Sequence, residues 1–307
     1  MCHRPPISTS VSATFGIVLG AVVAALGGGP AVGAPPPGLD LEPVPVPVLD
    51  QLSPADREAV REVRSSLDTL LERDEAVGVE ALEEAYGEVG EHYLAHDLMV
   101  PAEAALANAR RLDPEEFRWP YYLGVLHFRE GRLEAARESL EAALELEPDD
   151  VPTLLRLGEV HLDQGALDAA EEEFRRVLSL NSLSAMAEWG LGRVAQERDR
   201  PREAIERFQR ALELQPEASS IHHSLGLAYR DLGDREKARE HFEANRHDPV
   251  RFRDPRMERL SRLLRGSRPH VKAGNRAAGR GDLQEARRQF TLAVEADPTD
   301  RLAHYNL

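Results

Sequence analysis

A period of thirty-four residues constrains the fold of this chain more than any other feature of its sequence. Glycine recurs at Gly90, Gly124, Gly158, Gly192 and Gly226, and an alanine follows twelve residues after each of them. Four residues beyond each alanine stands a leucine or a phenylalanine. Because the units of such an array bury their apolar faces against neighbouring units, this period predicts a stacked solenoid in which each unit contacts only its neighbours.

Each recurring residue type has a physical reason. Counted from residue 83, the glycine at position 8 and the alanine at position 20 let two helices cross closely. The large residue at position 24 is expected to fill the contact with the next unit. A second glycine at position 15 suits the left-handed conformation that ends a first helix, as at Gly131 and Gly165. Proline near position 32, as at Pro114 and Pro148, ends the second helix.

These residues resemble the tetratricopeptide repeat, whose signature combines Leu-Gly, a later alanine, a large apolar residue and proline. The resemblance implies an all-α fold, a right-handed α-solenoid of tandem helix-turn-helix repeats. It covers most of the chain from residue 83, in six repeats at 83–116, 117–150, 151–184, 185–218, 219–252 and 267–300.

The remaining segments flank or interrupt the array. Residues 51–82 predict an N-terminal capping helix region that starts at Ser53-Pro54, a capping hydroxyl followed by a first-turn proline. Residues 253–266 predict one inserted amphipathic helix. Residues 301–307 match the start of a truncated seventh repeat, so we expect the natural chain to continue beyond Leu307.

The N-terminal residues predict export. Residues 1–34 combine an early Arg4, an apolar stretch and a small-residue run, as in a secretory signal peptide cleaved after Ala34. We therefore expect a periplasmic or cell-envelope protein of a bacterial type; an uncleaved membrane anchor is the alternative. Residues 35–50 alternate proline with valine, which favours an extended polyproline linker, or alternatively a ligand for a proline-binding domain.

Composition excludes several functions. A formal net charge of −16 argues against general nucleic-acid binding, which needs cations to neutralise phosphates. The single cysteine, Cys2, excludes an intrachain disulfide and a metal site built from cysteines. Nothing resembles a phosphate loop, a nucleophile elbow or a paired-carboxylate cleft, so we expect neither catalysis nor a cofactor.

The resemblance implies that positions 2, 5, 9 and 12 of each repeat face a concave surface that binds a protein or peptide. In repeats two to five these positions hold Arg118, Tyr121, Val125, Phe128, Leu155, Glu159, Leu162, Met186, Trp189, Arg193, Gln196, His223, Leu227 and Arg230. Aromatic and arginine side chains of this kind are enriched among interface hot spots. Packing between repeats is the alternative role for any one of them.

Two more specific sites are weighed and set aside. Tetratricopeptide domains that clamp a terminal carboxylate place Lys and Asn in these positions, but only Asn275 falls there. His92 and His96, four residues apart on one helix, have a spacing that suits zinc, yet no third ligand accompanies them. We therefore predict no metal site.

Residues 251–280 carry ten basic side chains and two acidic ones. A solvated helix face balanced by acidic neighbours, such as those within residues 134–150, is one interpretation, and a docking patch for an acidic partner or an anionic surface is the other. Taken together, the sequence predicts a non-catalytic interaction scaffold. The alternatives are the recruiting arm of an enzyme whose catalytic domain lies beyond Leu307, and a self-associating structural protein.

Overall fold

The computed structural model describes residues 40–73, 77–246 and 248–307, so the predicted signal segment and residues 35–39 lie outside it. The described residues contain fifteen α-helices and no β-strand. The helices are α1 (Pro54–Leu71), α2 (Val79–Ala95), α3 (Met99–Leu112), α4 (Arg118–Arg129), α5 (Leu133–Leu146), α6 (Val151–Asp163), α7 (Leu167–Leu180), α8 (Ala185–Glu197), α9 (Pro201–Leu214), α10 (Ser220–Asp231), α11 (Arg235–Ala244), α12 (Pro255–Arg262), α13 (Arg268–Gly279), α14 (Leu283–Ala296) and α15 (Arg301–Asn306).

Twelve of these helices form six hairpins: α2 with α3, α4 with α5, α6 with α7, α8 with α9, α10 with α11, and α13 with α14. Successive hairpins from α2 to α11 stack on one another, and the fold is the all-α solenoid that the sequence predicted. The turn within each hairpin places position 15 in the left-handed region, where glycine is favoured. Asp97 and Asp199 occupy this position in repeats one and four, with φ of 60° and 55°.

The helices of each hairpin meet at the glycine of position 8. A Cβ atom placed on Gly124 would lie 2.6 Å from Leu140 Cγ, and one on Gly192 would lie 2.4 Å from Phe208 Cε1. The side chain at position 24 thus packs on the glycine of its own repeat. The expectation that it fills the contact with the next repeat is therefore incomplete. Phe174 does both, since it also closes on Gly190 of the following repeat.

Helix α1 begins where the sequence predicted. The Ser53 hydroxyl accepts a hydrogen bond from the Asp56 amide at 3.1 Å, and Pro54 follows as the first helical residue. Val60, Val63 and Leu67 are buried in the same core as helices α2 to α5. The helix therefore covers the outer side of the first repeat, which would otherwise expose apolar surface.

The proline-rich segment is not a free spacer over residues 40–50. Leu41 and Val44 are buried in the core of the first repeats. The Asn108 side chain exchanges two 2.8 Å hydrogen bonds with the backbone of Glu42, and Arg64 Nη1 donates to the Val44 carbonyl at 3.0 Å. The linker interpretation is wrong for these residues because the side chains between the prolines are apolar enough to bury.

The sixth repeat departs from the expected stack. In the described chain, α13 does not pack against α11 in the way that α10 packs against α9. Instead, the residues before α13 bind the capping region, where the Arg265 and Gly266 amides donate to Asp56 Oδ1 at 2.7 and 3.1 Å. The expectation that each unit contacts only its neighbours is wrong here, because residues 248–266 bring the chain back along the array.

Candidate interaction surface

The fourteen residues predicted to face a concave surface differ widely in exposure. Five are buried: Tyr121, Val125, Leu155, Leu162 and Met186. Seven are half-buried: Arg118, Phe128, Glu159, Trp189, Arg193, Gln196 and Leu227. His223 and Arg230 are exposed. The side chains that an external partner could reach thus lie mainly in repeats four and five.

A single segment of the same chain accounts for much of this burial. We call residues 248–266 the covering segment. After α11 the chain turns back, and the Asp248 carbonyl accepts a hydrogen bond from the Ser220 amide at 2.9 Å. Val250 then packs on the cores of repeats three to five, and Phe252 packs on the core of repeats three and four. Residues 248–254 of the covering segment thus cross the first helices without regular secondary structure, and the segment runs from the fifth repeat towards the first.

Asp254 anchors the covering segment through both carboxylate oxygens. Oδ1 caps α12 by accepting hydrogen bonds from the Arg256 and Met257 amides, each at 3.2 Å. Oδ2 accepts from the Tyr121 hydroxyl and from Arg156 Nη2 at 2.7 Å. Arg156 Nε donates to the Tyr121 hydroxyl at 2.7 Å, which closes the three-residue network.

The hydrogen bonds and ion pair of this network determine the protonation states of Asp254 and Tyr121. Burial alone would raise the pKa of Asp254, but the charge and hydrogen bonds of Arg156 and the Tyr121 hydroxyl outweigh it, so the pKa lies below its usual range. Burial raises the pKa of the Tyr121 phenol well above its usual range. Tyr121 therefore stays protonated and donates its proton to an ionised Asp254.

Two further arginines of the covering segment bind acidic residues of the repeats. Arg256 Nη2 lies 2.5 Å from Asp150 Oδ2, and its guanidinium stacks 4.3 Å from the centre of the Tyr121 ring. Arg259 Nε donates to Glu91 Oε2 at 2.9 Å. These two arginines of the basic segment are thus paired within the chain; Asp150 belongs to the acidic stretch 134–150, and Glu91 does not.

Residues 253–266 contain a shorter helix than the sequence predicted. Helix α12 spans Pro255–Arg262, and Leu260 is buried while Met257 and Leu263 are half-buried against the core of the first repeats. The sequence analysis identified the amphipathic pattern but not its partner. No signal in the spacing shows that Asp254 reaches Tyr121, since 133 residues separate them.

The two histidines considered for zinc, His92 and His96, are buried where the end of α2 contacts the start of α1. His96 Nε2 lies 3.2 Å from Asp56 Oδ1, and the His92 and His96 rings stack with their centres 6.2 Å apart. Burial, with His96 and Arg265 nearby, lowers the pKa of His92 to about 4. Burial would raise the pKa of Asp56, yet hydrogen bonds from His96, the Arg265 amide and Ser53 lower it to about 2.

Neither a metal cluster nor a membrane helix occurs in the part of the chain that the structure describes. There, no group of three His, Cys, Asp or Glu side chains is arranged to hold a metal ion. The helices of the same residues are too short or too polar to cross a lipid bilayer.

Models of the tetratricopeptide repeat family match residues 102–151, 127–185 and 183–244. The matched residues lie in the stacked hairpins from α3 to α11. The chain is a tetratricopeptide repeat protein. Solenoids of this class offer extended concave surfaces to other proteins, which makes it a protein-interaction scaffold.

Parts of this chain are similar to solved structures. MamA 41-end from Desulfovibrio magneticus RS-1 is 23% identical, with a TM-score of 0.50 over 59% of this chain and 95% of that one. A MamA crystal structure is 24% identical, with a TM-score of 0.49 over 53% and 89%. The hetero-tetramer Cut9-Hcn1 of the APC/C is 18% identical, with a TM-score of 0.49 over 82% and 46%. No curated protein sequence matches the chain.

Proposed function

We propose that this protein is a non-catalytic scaffold that is exported from the cytoplasm and binds a protein or peptide on the concave surface of repeats four and five. We call this surface the open surface; its side chains are Trp189, Arg193, Gln196, His223, Leu227 and Arg230. The covering segment leaves these side chains half-buried or exposed, whereas it buries Tyr121 and its neighbours in repeats two and three. That difference in exposure is the observation that carries the proposal.

The open surface combines groups suited to binding. The Arg193 guanidinium lies 5.0 Å from the centre of the Trp189 ring, and Arg193 Nη2 lies 3.4 Å from Asp163 Oδ1. Trp189 Nε1 donates to the Ser224 hydroxyl at 3.3 Å. A stacked aromatic and arginine pair held in place by its neighbours loses little side-chain freedom on binding, which favours affinity.

Site-specific photo-crosslinking in the producing cell tests this assignment. A photoreactive amino acid at His223 or Arg230 should crosslink a protein partner. The same amino acid at exposed Glu206, on second helix α9, is the matched control and should not capture that partner. If all three positions capture the same proteins to the same extent, the open surface is not the binding surface.

Replacing His223 and Arg230 by alanine should weaken binding of the captured partner by on the order of tenfold, because truncated hot-spot side chains cost one or more kcal/mol each. Both side chains are exposed, so the fold should be retained.

The export proposal has its own test: the N-terminal sequence of the protein from cells should begin at Pro35. A protein that retains Met1 in the membrane fraction would indicate the anchor instead.

A further inference from the structure

A cavity lies outside the open surface. An open cavity of about 1010 Å³ is bounded by α13, by α12 and by the turn after α2. One face of α13 contributes Arg268, Val271, Lys272, Asn275 and Arg276, which are three or four residues apart and so share a side of the helix. The cavity therefore lies beside the first helix of the sixth repeat, which does not stack on the fifth.

Part of the cavity lining is aliphatic. The lining includes Met257 and Leu260 of α12 and Leu264, two residues after that helix. It also includes Val271 of α13 and Leu302 of α15. A recess of this volume that is lined by aliphatic side chains and a few polar groups has the properties of a ligand site.

The acidic side chains at the cavity already have partners. Asp97 lies 3.4 Å from Arg129 Nη1 and 3.5 Å from Arg268 Nη1. Asp300 caps α15 and accepts a hydrogen bond from the Ser267 hydroxyl. Asp248 lies 3.5 Å from the Ser219 hydroxyl. Within the described part of the chain, only Asp97 among them is paired with cations, but the five basic side chains that line the cavity outnumber its three carboxylates, so the cavity carries a net positive charge.

Three cations at the cavity have no such partner. Across the described residues, no carboxylate oxygen lies within 4 Å of a side-chain nitrogen of Arg246, Lys272 or Arg276. Burial together with the positive charges of Arg251 and Arg280 lowers the pKa of Arg276. Lys272 and Arg276 thus differ from Arg256 and Arg259 of the same basic segment, whose charges are paired within the chain. Together with Arg246 they attract an anion.

We propose that the cavity binds an acidic segment of a partner polypeptide, with carboxylates at Arg246, Lys272 and Arg276 and apolar side chains against Met257 and Leu264. The proposal takes from the proposed function only that the partner is a protein, and it concerns a different site from the open surface. Charge complementarity selects an acidic ligand, and the aliphatic residues of the lining select one with aliphatic side chains. A flat lipid surface cannot follow the recess.

Fluorescence anisotropy of the full chain with a short labelled peptide of Glu-Leu-Glu-Glu units tests the site. The peptide should bind the unaltered chain and weaken as salt is added. The variant Lys272→Glu with Arg276→Glu should bind the peptide at least about tenfold more weakly. The milder variant Lys272→Gln with Arg276→Gln should show an intermediate loss, and circular dichroism should show that both variants retain their helices.

A matched control separates this site from net charge. Arg202→Glu with Arg287→Glu changes the net charge equally at two exposed arginines outside the cavity, and this variant should keep full affinity. His223→Ala with Arg230→Ala, on the open surface, should also keep it. Equal loss in the Arg202 and Arg287 variant, or undiminished binding by the Lys272 and Arg276 variant, would overturn the proposal.

Two further readouts identify the ligand class. A peptide in which Gln replaces Glu should not bind, and one in which Ser replaces Leu should bind more weakly than the parent peptide. Sedimentation with phosphatidylserine vesicles should be the same for the unaltered chain and the Lys272 and Arg276 variant. Vesicle binding that depends on these two residues, with no peptide binding, would show that the site serves a membrane and would overturn the proposal.

Discussion

Repeats two and three differ from repeats four and five although all four follow the same thirty-four-residue pattern. In repeats two and three, equivalent first-helix positions hold buried Tyr121, Val125 and Leu155. In repeats four and five they hold half-buried Gln196 and exposed His223 and Arg230. The difference has two sources: the side chains at these positions are apolar or aromatic in the covered repeats and polar in the others, and the covering segment binds Tyr121 through Asp254. The same repeat scaffold thus gives a covered surface at one end and a surface available to a partner at the other.

The largest expected effect comes from removing the anchor of the covered region. Asp254→Ala leaves Arg156 as a buried unpaired charge and Tyr121 as an unsatisfied donor. Since removing one partner of a buried ion pair is strongly destabilising, the free energy of unfolding should fall by about 3–5 kcal/mol. Urea denaturation followed by circular dichroism measures this change.

The control for this variant lies four residues away in the same segment. Glu258→Ala removes an exposed pair whose oxygen lies 3.6 Å from Arg253 Nε, and it should cost less than about 0.5 kcal/mol. Protease cleavage within the covering segment should increase in Asp254→Ala and not in Glu258→Ala. Equal stability of the two variants would mean that Asp254 does not hold the segment in place.

The next effect concerns pH, at the joint where the covering segment ends on Asp56 and His96. The pKa of His92 is about 4 in the folded chain and near 6.5 when unfolded. The unfolded chain therefore takes up the proton first. Above about pH 6.5 His92 is neutral in both states and does not lower the free energy of unfolding. As pH falls from 6.5 towards 4, the free energy of unfolding decreases by on the order of 3 kcal/mol in all.

Thermal melting between pH 7 and pH 4 should show this loss, and His92→Gln should reduce the pH dependence in that range. Replacing exposed His223 by glutamine is the matched control and should leave the pH dependence unchanged. Below about pH 4, protonation of Asp56, whose folded pKa is about 2, should add a further loss. A His92→Gln profile parallel to that of the unaltered chain would contradict the assignment.

The smallest expected effect lies in the open half of the molecule. Asp199 ends α8 with a φ of 55°, a conformation that costs a residue with a side chain more than it costs glycine. Asp199→Gly should therefore raise the free energy of unfolding by about 0.5–1 kcal/mol. The reverse change at the equivalent position, Gly165→Asp, should lower it by a similar amount. Chemical denaturation of both variants checks the opposite signs.

Much of the fold could be predicted because each rule involved acts over a short distance along the chain. The glycine at Gly124 accepts Leu140 sixteen residues later, and the turn at Gly131 lies between them. The start of α1 at Ser53 depends on three neighbouring residues. The candidate surface was predicted less completely, since the burial of Tyr121 depends on Asp254, which belongs to no repeat.

The sequence by itself determined the hairpins, their close crossings and the order in which five of them stack, because the residues in contact recur at a constant interval. Tertiary structure alone decided that residues 248–266 lie on the repeats, that the residues before the sixth hairpin bind Asp56 near the N-terminal end of the array, and that Lys272 and Arg276 line a cavity and have no acidic partner there. Those contacts join residues far apart in the chain, and they depend on complementary burial and charge, which no period in the sequence records.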